Sequence, residues 1–404
     1  MKNVLLIMPY GSVGGMERLA LTFYNYYKNK GYGVKALKFI KLERDIINFG
    51  EDELFLKSKD FNEMSSGERL LLYISASNYI RNIIKSEKIT HSIAFGDMAN
   101  LFSSLTFTNE YKIASIHALK SVEFSNKSFL NIIFKLGYKT TYKNFDKVVC
   151  ISNAIKEDLI EKCGFKFSDK LKIIYNPHNL KEIDKLALES NFDEDELKLF
   201  TNKTILFLGR LSIQKAPWHL IKAFSLVLKR VPEANLVFIG DGDSQVENYL
   251  KNLINVLQIS KKVYFLGRKH NPYKYLAKAK VLALSSHYEG TPNVIVESIC
   301  VGTPIVSSFC TKGITELMGL SEYNEDSNEN IEMEAGIITP NLFKERLGIP
   351  NRFEIITEEE KFAEALITVI SSNKYKIVLE KFKNSLLAKF DIETVTTEYL
   401  FKSK

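Results

Sequence analysis

Between Ser285 and Ser308 the chain reads SSHYEGTPNVIVESICVGTPIVSS, and two carboxylates in it, Glu289 and Glu297, bracket seven residues holding a glycine, a Thr-Pro pair and an apolar run. A carboxylate accepts hydrogen bonds and donates none, so two of them beside an anion site suit the hydroxyls of a nucleotide sugar. The anion site is the turn between them. Thr291 is expected to cap a helix through its hydroxyl, and Pro292 to take the first helical position, where its missing N–H costs nothing. The helix then runs to Cys300 and ends at Gly302. Its free amides and positive dipole end make Gly290, Thr291, Pro292 and Asn293 a place for a phosphate, and Gly290 lets a ligand approach the backbone. Two surface glutamates flanking a buried helix would show the same spacing. The glycine, the proline, the helix and the Gly302-Thr303-Pro304 strand entry are what make the pattern specific.

A second cluster supplies positive charge. Thr204 to Gly209 is an apolar run ended by glycine, and Arg210 and Lys215 follow at once, ahead of a helix-like stretch from Trp218 to Lys229. Cations at the exit of a parallel strand suit a diphosphate, Arg through its fork and Lys as a point charge, and strand exits are where open α/β sheets bind ligands. His117 ends the apolar run Ile113–Ile116, which places an imidazole at another strand exit. Near the start, the strand-like Asn3–Met8 leads through Gly14 and Gly15 into a helix expected over Met16–Lys30. The full G-x-G-x-x-G fingerprint is absent, so a dinucleotide cofactor is not indicated.

The Glu289–Glu297 segment resembles the retaining glycosyltransferases of family 4, whose signature is this Glu, seven residues, Glu pattern in the second domain of a GT-B fold. The resemblance implies that Glu297 holds the ribose hydroxyls, that Glu289 touches the donor sugar, and that Arg210 and Lys215 clamp the donor diphosphate. GRLSIQK fits the family's spacing, but Ala216-Pro217 stands where the family usually has Gly, which bears on the shape of that loop. By the same resemblance His117 is directed at the donor sugar, and Gly15 faces the diphosphate across a cleft and leaves room for the acceptor. The family's retaining reaction runs on one face of the sugar with the donor phosphate helping to deprotonate the acceptor, so no dedicated base is required. With two cations and a helix N-terminus neutralising the leaving diphosphate, no metal and no cofactor are expected, and Asp241-Gly-Asp243 is expected to shape a loop. The cleft between domains should close over the donor.

The elements that must hold these residues alternate strand and helix through both halves. Strands are expected near 3–8, 34–40, 90–96, 111–117, 147–152 and 172–176, then 204–209, 235–240, 263–267, 281–285 and 304–308. This is an α/β chain of GT-B type, with two Rossmann-like, doubly wound parallel-sheet domains facing across a cleft. The expected division is an acceptor-side domain over 1–178, an acidic linker over 179–202, a donor domain over 203–385, and a last helix in 386–404 that returns to the first domain. At 404 residues and 45% hydrophobic content the chain can fill two cores. Cys150, Cys163, Cys300 and Cys310 form no C-x-x-C pair, so a reducing compartment fits. No run of about 18 apolar residues occurs, so a cytoplasmic protein is expected, either free or peripheral on the inner face of the cytoplasmic membrane.

Residues 1–180 carry 26 Lys and Arg against 18 Asp and Glu, so the positive balance lies in the first half. Within it, Lys135, Lys139, Lys143 and Lys147 recur every four residues on an expected helix, beside Phe134, Tyr138 and Tyr142. Such a face suits an anionic membrane surface; a solvated lysine face over core aromatics has the same pattern. Arg is sparse there and no nucleic-acid module appears, so nucleic acid is not an expected partner. The expected function is transfer of a sugar from a nucleotide-diphosphate donor, expected to be a UDP-sugar, to a glycan or lipid-linked acceptor in bacterial polysaccharide or lipopolysaccharide synthesis. The alternatives are a UDP-sugar 2-epimerase of the same fold and a non-catalytic glycan- or nucleotide-binding subunit.

Overall fold

The computed structural model describes residues 2–10, 15–42, 45, 47–124, 129–201, 203–321, 327–344, 347–351 and 353–401. They form two compact units, one of Met1–Pro177 with Lys389–Lys404 and one of His178–Ala388.

Unit 1 is built on β1 (Asn3–Met8), β2 (Gly33–Ile40), β3 (Glu53–Lys57), β4 (His91–Phe95), β5 (Tyr111–Ile116), β6 (Lys147–Cys150) and β7 (Leu171–Ile173). All pair in parallel in the order β3-β2-β1-β4-β5-β6-β7, with Val4 opposite Val34 on one side and His91 on the other. A parallel strand covered on both faces needs apolar side chains in both directions, and Val4 to Met8 are completely buried. Val4, Leu6 and Met8 pack with Phe23 and Tyr27 of the helix Gly15–Asn29, while Leu5 and Ile7 pack with Leu72, Ala76 and Ile80 of the helix Ser66–Ser86. Each such side chain contributes about 1.5–3 kcal/mol.

The last helix, Ile392–Leu400, belongs to unit 1 and adds Val395, Tyr399 and Leu400 to the Phe23 core. Its terminal carbonyls have no partner within the helix. Lys147 supplies one, donating from Nζ to the carbonyls of Glu398 at 2.6 Å and Phe401 at 2.8 Å. This corrects the expectation of a four-lysine docking stripe. The period of four suits a single helix, but the helix ends at Lys139, Lys143 lies in a short 3-10 turn, and Lys147 opens β6 with its side chain buried. Tyr138 and Tyr142 are buried in the core, and Phe134 is half-buried against it. Lys135, Lys139 and Lys143 are exposed.

Unit 2 holds β8 (Thr204–Leu208), β9 (Asn235–Ile239), β10 (Val263–Phe265), β11 (Val281–Leu284), β12 (Ile305–Ser308), β13 (Ile331–Met333) and β14 (Gly336–Thr339), in the order β10-β9-β8-β11-β12-β14-β13. Only β13 runs antiparallel to its neighbour. Residues 179–202, read above as the linker, form the helices Leu180–Ala187 and Glu194–Leu199, which are part of this unit. Past their paired residues β8 and β9 stay in contact, because Leu211 bridges Gly242 and the amide of Leu211 donates to the carbonyl of Asp241 at 3.0 Å. Only glycine permits this approach: a Cβ on Gly240 would lie 2.0 Å from the carbonyl oxygen of Gly209. Asp243 caps the helix Ser244–Val256 by accepting from the amide of Gln245 at 2.7 Å, so the Asp-Gly-Asp sequence shapes the loop.

Lys147→Gln is expected to lower unfolding free energy by about 1–3 kcal/mol through loss of charge-assisted bonds to the part-buried carbonyls at the helix end, whereas Lys143→Gln stays within about 0.5 kcal/mol. Urea denaturation of the two variants checks this, and equal midpoints would contradict it.

Candidate functional site

The loop after β8 carries Arg210 and Lys215 and enters the helix Pro217–Arg230 through Ala216. Ala216 sits in the left-handed region at φ 42° and ψ 52°, a conformation that costs a side-chain-bearing residue about 1–2 kcal/mol and glycine little. It is held there by burial, by its amide donating to Ser212 at 3.0 Å, and by Ser285 Oγ donating to its carbonyl at 3.2 Å. The Ala-for-Gly departure noted in the sequence therefore leaves a glycine-like turn, followed by Pro217 at the helix start.

The loop after β11 carries Glu289 and is fastened to the first. The amide of His287 donates to the Gln214 carbonyl at 2.8 Å, and Gln214 Nε2 donates back to the carbonyl of Tyr288 at 3.1 Å. Lys215 Nζ lies 2.5 Å from Glu289 Oε1, which also accepts from Ser286 Oγ at 2.8 Å. The Glu289 side chain is 8% exposed, so it depends on these partners, while Lys215 at 19% keeps donors free for a ligand. Arg210 is exposed and makes no ion pair among the described residues. β8 and β11 are neighbours at the point where strand order reverses, which is where the two loops meet.

The helix of the motif runs from Asn293 to Cys300, one residue later than expected. Pro292 is its N-cap rather than its first residue, at φ −71° and ψ 105°, and no side chain caps it, so the expected hydroxyl cap from Thr291 is not made. Among the described residues no side chain takes up the amides at this end of the helix. At the other end Gly302 has φ 74°, its amide donates to Ile299 at 3.1 Å, and that of Thr303 donates to Ser298 at 2.9 Å, a Schellman closure. Glu297 is half-buried on this helix, and Tyr273 donates to its Oε1 at 3.5 Å. Leu211, Gly240, Asp241, Phe265 and Gly267 line a cavity of about 200 Å³ at the carboxyl ends of β8, β9 and β10. Gln214, Ser286 and Tyr273 were not singled out from the sequence. Gln214 adjoins the Lys215 motif, but Tyr273 meets Glu297 only through the fold.

In unit 1, Gly15 begins the helix Gly15–Asn29, and Gly14 lies outside the described residues. His117 follows β5, half-buried, with its ring 6.0 Å from that of Phe95 and its Nε2 enclosed without a hydrogen-bond partner among the described residues. Lys120, three residues on, is buried between Asp97 at 2.8 Å and Glu123 at 2.5 Å.

Two family models cover most of the chain: Glycosyltransferase Family 4 over residues 13–182 and Glycosyl transferases group 1 over residues 189–338. An uncharacterised glycosyltransferase of Methanocaldococcus jannaschii is 30% identical over 288 residues, 69% of this chain and 68% of the relative. An alpha-1,4-N-acetyl-D-galactosaminyltransferase of Campylobacter jejuni, whose name carries a diNAcBac-PP-undecaprenol-linked glycan, is 25% identical over 378 residues, 91% of this chain and 92% of its own. Among solved structures, Anabaena HepE in complex with UDP superposes with a TM-score of 0.71 at 18% identity, covering 98% of each chain. With two Rossmann-like sheets and these matches, the chain belongs to the GT-B glycosyltransferases.

Burial pushes three imidazoles down: His117 to about 3, helped by the charge of Lys120, His178 to about 4, and His287 to about 4, helped by His219. All three are neutral at neutral pH. An unfolded histidine takes up a proton near pH 6.5, and the folded ones refuse it until about pH 3–4. In that interval the unfolded state binds more protons, so stability falls as pH falls. The urea midpoint is expected to hold from pH 8 to about 7 and to drop between about pH 6.5 and 5, above the range of most carboxylates. A flat profile through that window would contradict buried neutral histidines.

Proposed function

We propose that this glycosyltransferase moves a sugar with retention from a UDP-sugar to a lipid-linked glycan. The observation that carries the reading is the Lys215–Glu289 pair, which joins the loop that carries the exposed Arg210 to the loop that leads into the Asn293–Cys300 helix. In this scheme Arg210, Lys215 and the backbone N–H groups of Gly290, Thr291 and Asn293, in the turn shaped by Pro292, hold the diphosphate and stabilise it as it leaves. That charge supply calls for no metal. Glu289 accepts from hydroxyls of the donor sugar and Glu297 from those of the ribose. His117, kept neutral, can donate to or accept from the donor sugar, and Gly15 leaves backbone room for phosphate or acceptor. Support for uridine comes from HepE, whose structure holds UDP, and support for a lipid carrier from the undecaprenol-linked relative.

A lipid-linked acceptor puts the enzyme at a membrane face, and the corrected surface offers one. On the helix Phe129–Lys139, Ile132 and Leu136 are each 58% exposed, and the exposed Lys135 and Lys139 lie a turn along the same face. Apolar side chains framed by lysines suit an anionic bilayer surface, each cation near it contributing about 1 kcal/mol.

The direct test incubates the protein with UDP-, GDP- and ADP-linked hexoses and scores nucleotide release with and without lipid-linked acceptors. UDP release that rises with acceptor is expected; release indifferent to acceptor would favour an epimerase. Glu297→Ala should weaken UDP binding about tenfold by calorimetry, and His117→Ala should lower kcat far more than UDP affinity. Equal UDP affinity in the first variant, or equal turnover in the second, would remove the assigned role.

Replacing Lys135 and Lys139 by Gln, together with Ile132→Ser and Leu136→Ser, should release the enzyme from vesicles containing phosphatidylglycerol. Unchanged co-sedimentation would count against that face.

A further inference from the structure

Directly behind the Glu289 loop, unit 2 buries a second set of polar side chains. Glu359, in the first turn of the helix Thr357–Ser371, is completely buried. Its Oε2 accepts from the amide of Ile356 at 3.0 Å, and its Oε1 lies 2.6 Å from His219 Nδ1 and 3.2 Å from Lys222 Nζ. His219 Nε2 in turn lies 2.9 Å from His287 Nε2. A carboxylate oxygen facing Nδ1 places a proton there, and the contact between the two Nε2 atoms needs one proton shared between the rings. The His287 ring is caged between Trp218 at 5.6 Å and Phe343 at 5.3 Å, and its Nδ1 has no hydrogen-bond partner among the described residues.

Buried polar groups cost stability unless bonded, and an apolar trio would fill this space without that liability. What the trio adds is direction. His287 stands two residues before Glu289, and its amide is bonded to Gln214, the neighbour of Lys215. Glu359 and His219 sit on helices of the rigid core, so the chain of bonds fixes a loop residue to two helices. We propose that Glu359, His219 and His287 are positioning residues that hold the Glu289 carboxylate in register with Lys215 for the transfer step. The inference rests on the reading of Glu289 given above.

Trp218 is the chain's sole tryptophan, and its ring also lies 5.9 Å from that of His219, so its fluorescence reports on the chain of bonds. The test compares His219→Gln, Glu289→Ala and the double variant. It measures UDP release from UDP-glucose and UDP-N-acetylgalactosamine, UDP affinity by calorimetry, and the change in Trp218 emission on adding UDP. His219→Gln is expected to lower kcat about tenfold or more while UDP affinity stays within about twofold, because misplacement of a contacting group weighs on the transition state. In the Glu289→Ala enzyme the same substitution should cost nothing further. The UDP-induced Trp218 signal should be present in the parent protein and lost in His219→Gln. Losses that multiply in the double variant, or a Trp218 signal that survives His219→Gln unchanged, would overturn the positioning role. Unchanged turnover in Glu289→Ala would overturn the reading of Glu289, while the Trp218 comparison still decides whether the loop is tied to the chain of bonds. Where thermal melting shows His219→Gln unfolded, Glu359→Gln carries the same expectations.

Discussion

A carboxylate nearly closed off from water at a strand exit is the constraint around which unit 2 is arranged. Glu289 is 8% exposed, and Lys215, Ser286 and Gln214 are all within hydrogen-bond reach of its carboxylate. Removing one partner of a fully buried pair costs about 3–5 kcal/mol, less where one partner keeps contact with water as Lys215 does. The pair therefore holds the loop after β11 to the loop after β8 and places a cation and an acceptor side by side. Hydrogen bonds from Gln214 and His287 repeat the connection through the backbone, so the spacing does not hang on two long side chains alone.

Topology makes the pairing possible. In the order β10-β9-β8-β11-β12-β14-β13, the chain leaves β8 toward one side of the sheet and returns at β11 on the other, which opens a crevice above the pair. β9 completes the wall. Gly240 and Gly242 let the following loop run against Gly209 and Leu211 at distances no side chain would permit, and Phe265 and Gly267 close the small cavity beyond. The glycines here serve contact between loops, a use that differs from the helix-ending Gly302.

Much of this was legible in the sequence because it is local. Apolar runs bounded by glycine gave the central strands, and the Glu289–Glu297 and Arg210–Lys215 spacings are contained within single loops or one helix turn beyond. The strands not expected were those with weak local signals. β3 is a partly exposed edge strand, and β13 and β14 are three and four residues long, with β14 added at the edge of β12 and β13 at the edge of β14. The lysine period misled for a related reason: equal spacing in sequence is a shared face only while the helix lasts, and the chain passes from helix to 3-10 turn to strand between Lys139 and Lys147. The Thr291 cap failed because Pro292 is extended, which moves the helix start past the reach of that hydroxyl. Contacts such as Tyr273 with Glu297, or His219 with Glu359, join residues far apart in the chain and carry no spacing to detect.

The two units share a design beneath their different sites. In unit 1 the strand exit that carries His117 is backed by Lys120, held between Asp97 and Glu123, with Tyr138 donating to Asp97 at 2.8 Å. In unit 2 the strand exit that carries Glu289 is backed by His287, His219 and Glu359. Loops at strand exits are the least constrained part of an α/β sheet, since their backbone leaves the ladder and their helices begin several residues later. Apolar packing alone would hold such a loop in place without fixing which way a side chain points. Directional bonds rooted in a helix do fix it, at the expense of burying charge, and that exchange is worthwhile only where orientation decides the chemistry. A polar network rooted in helices thus stands behind a strand exit in each unit, with Glu123 at the surface of the one in unit 1 and Glu359 fully enclosed in unit 2.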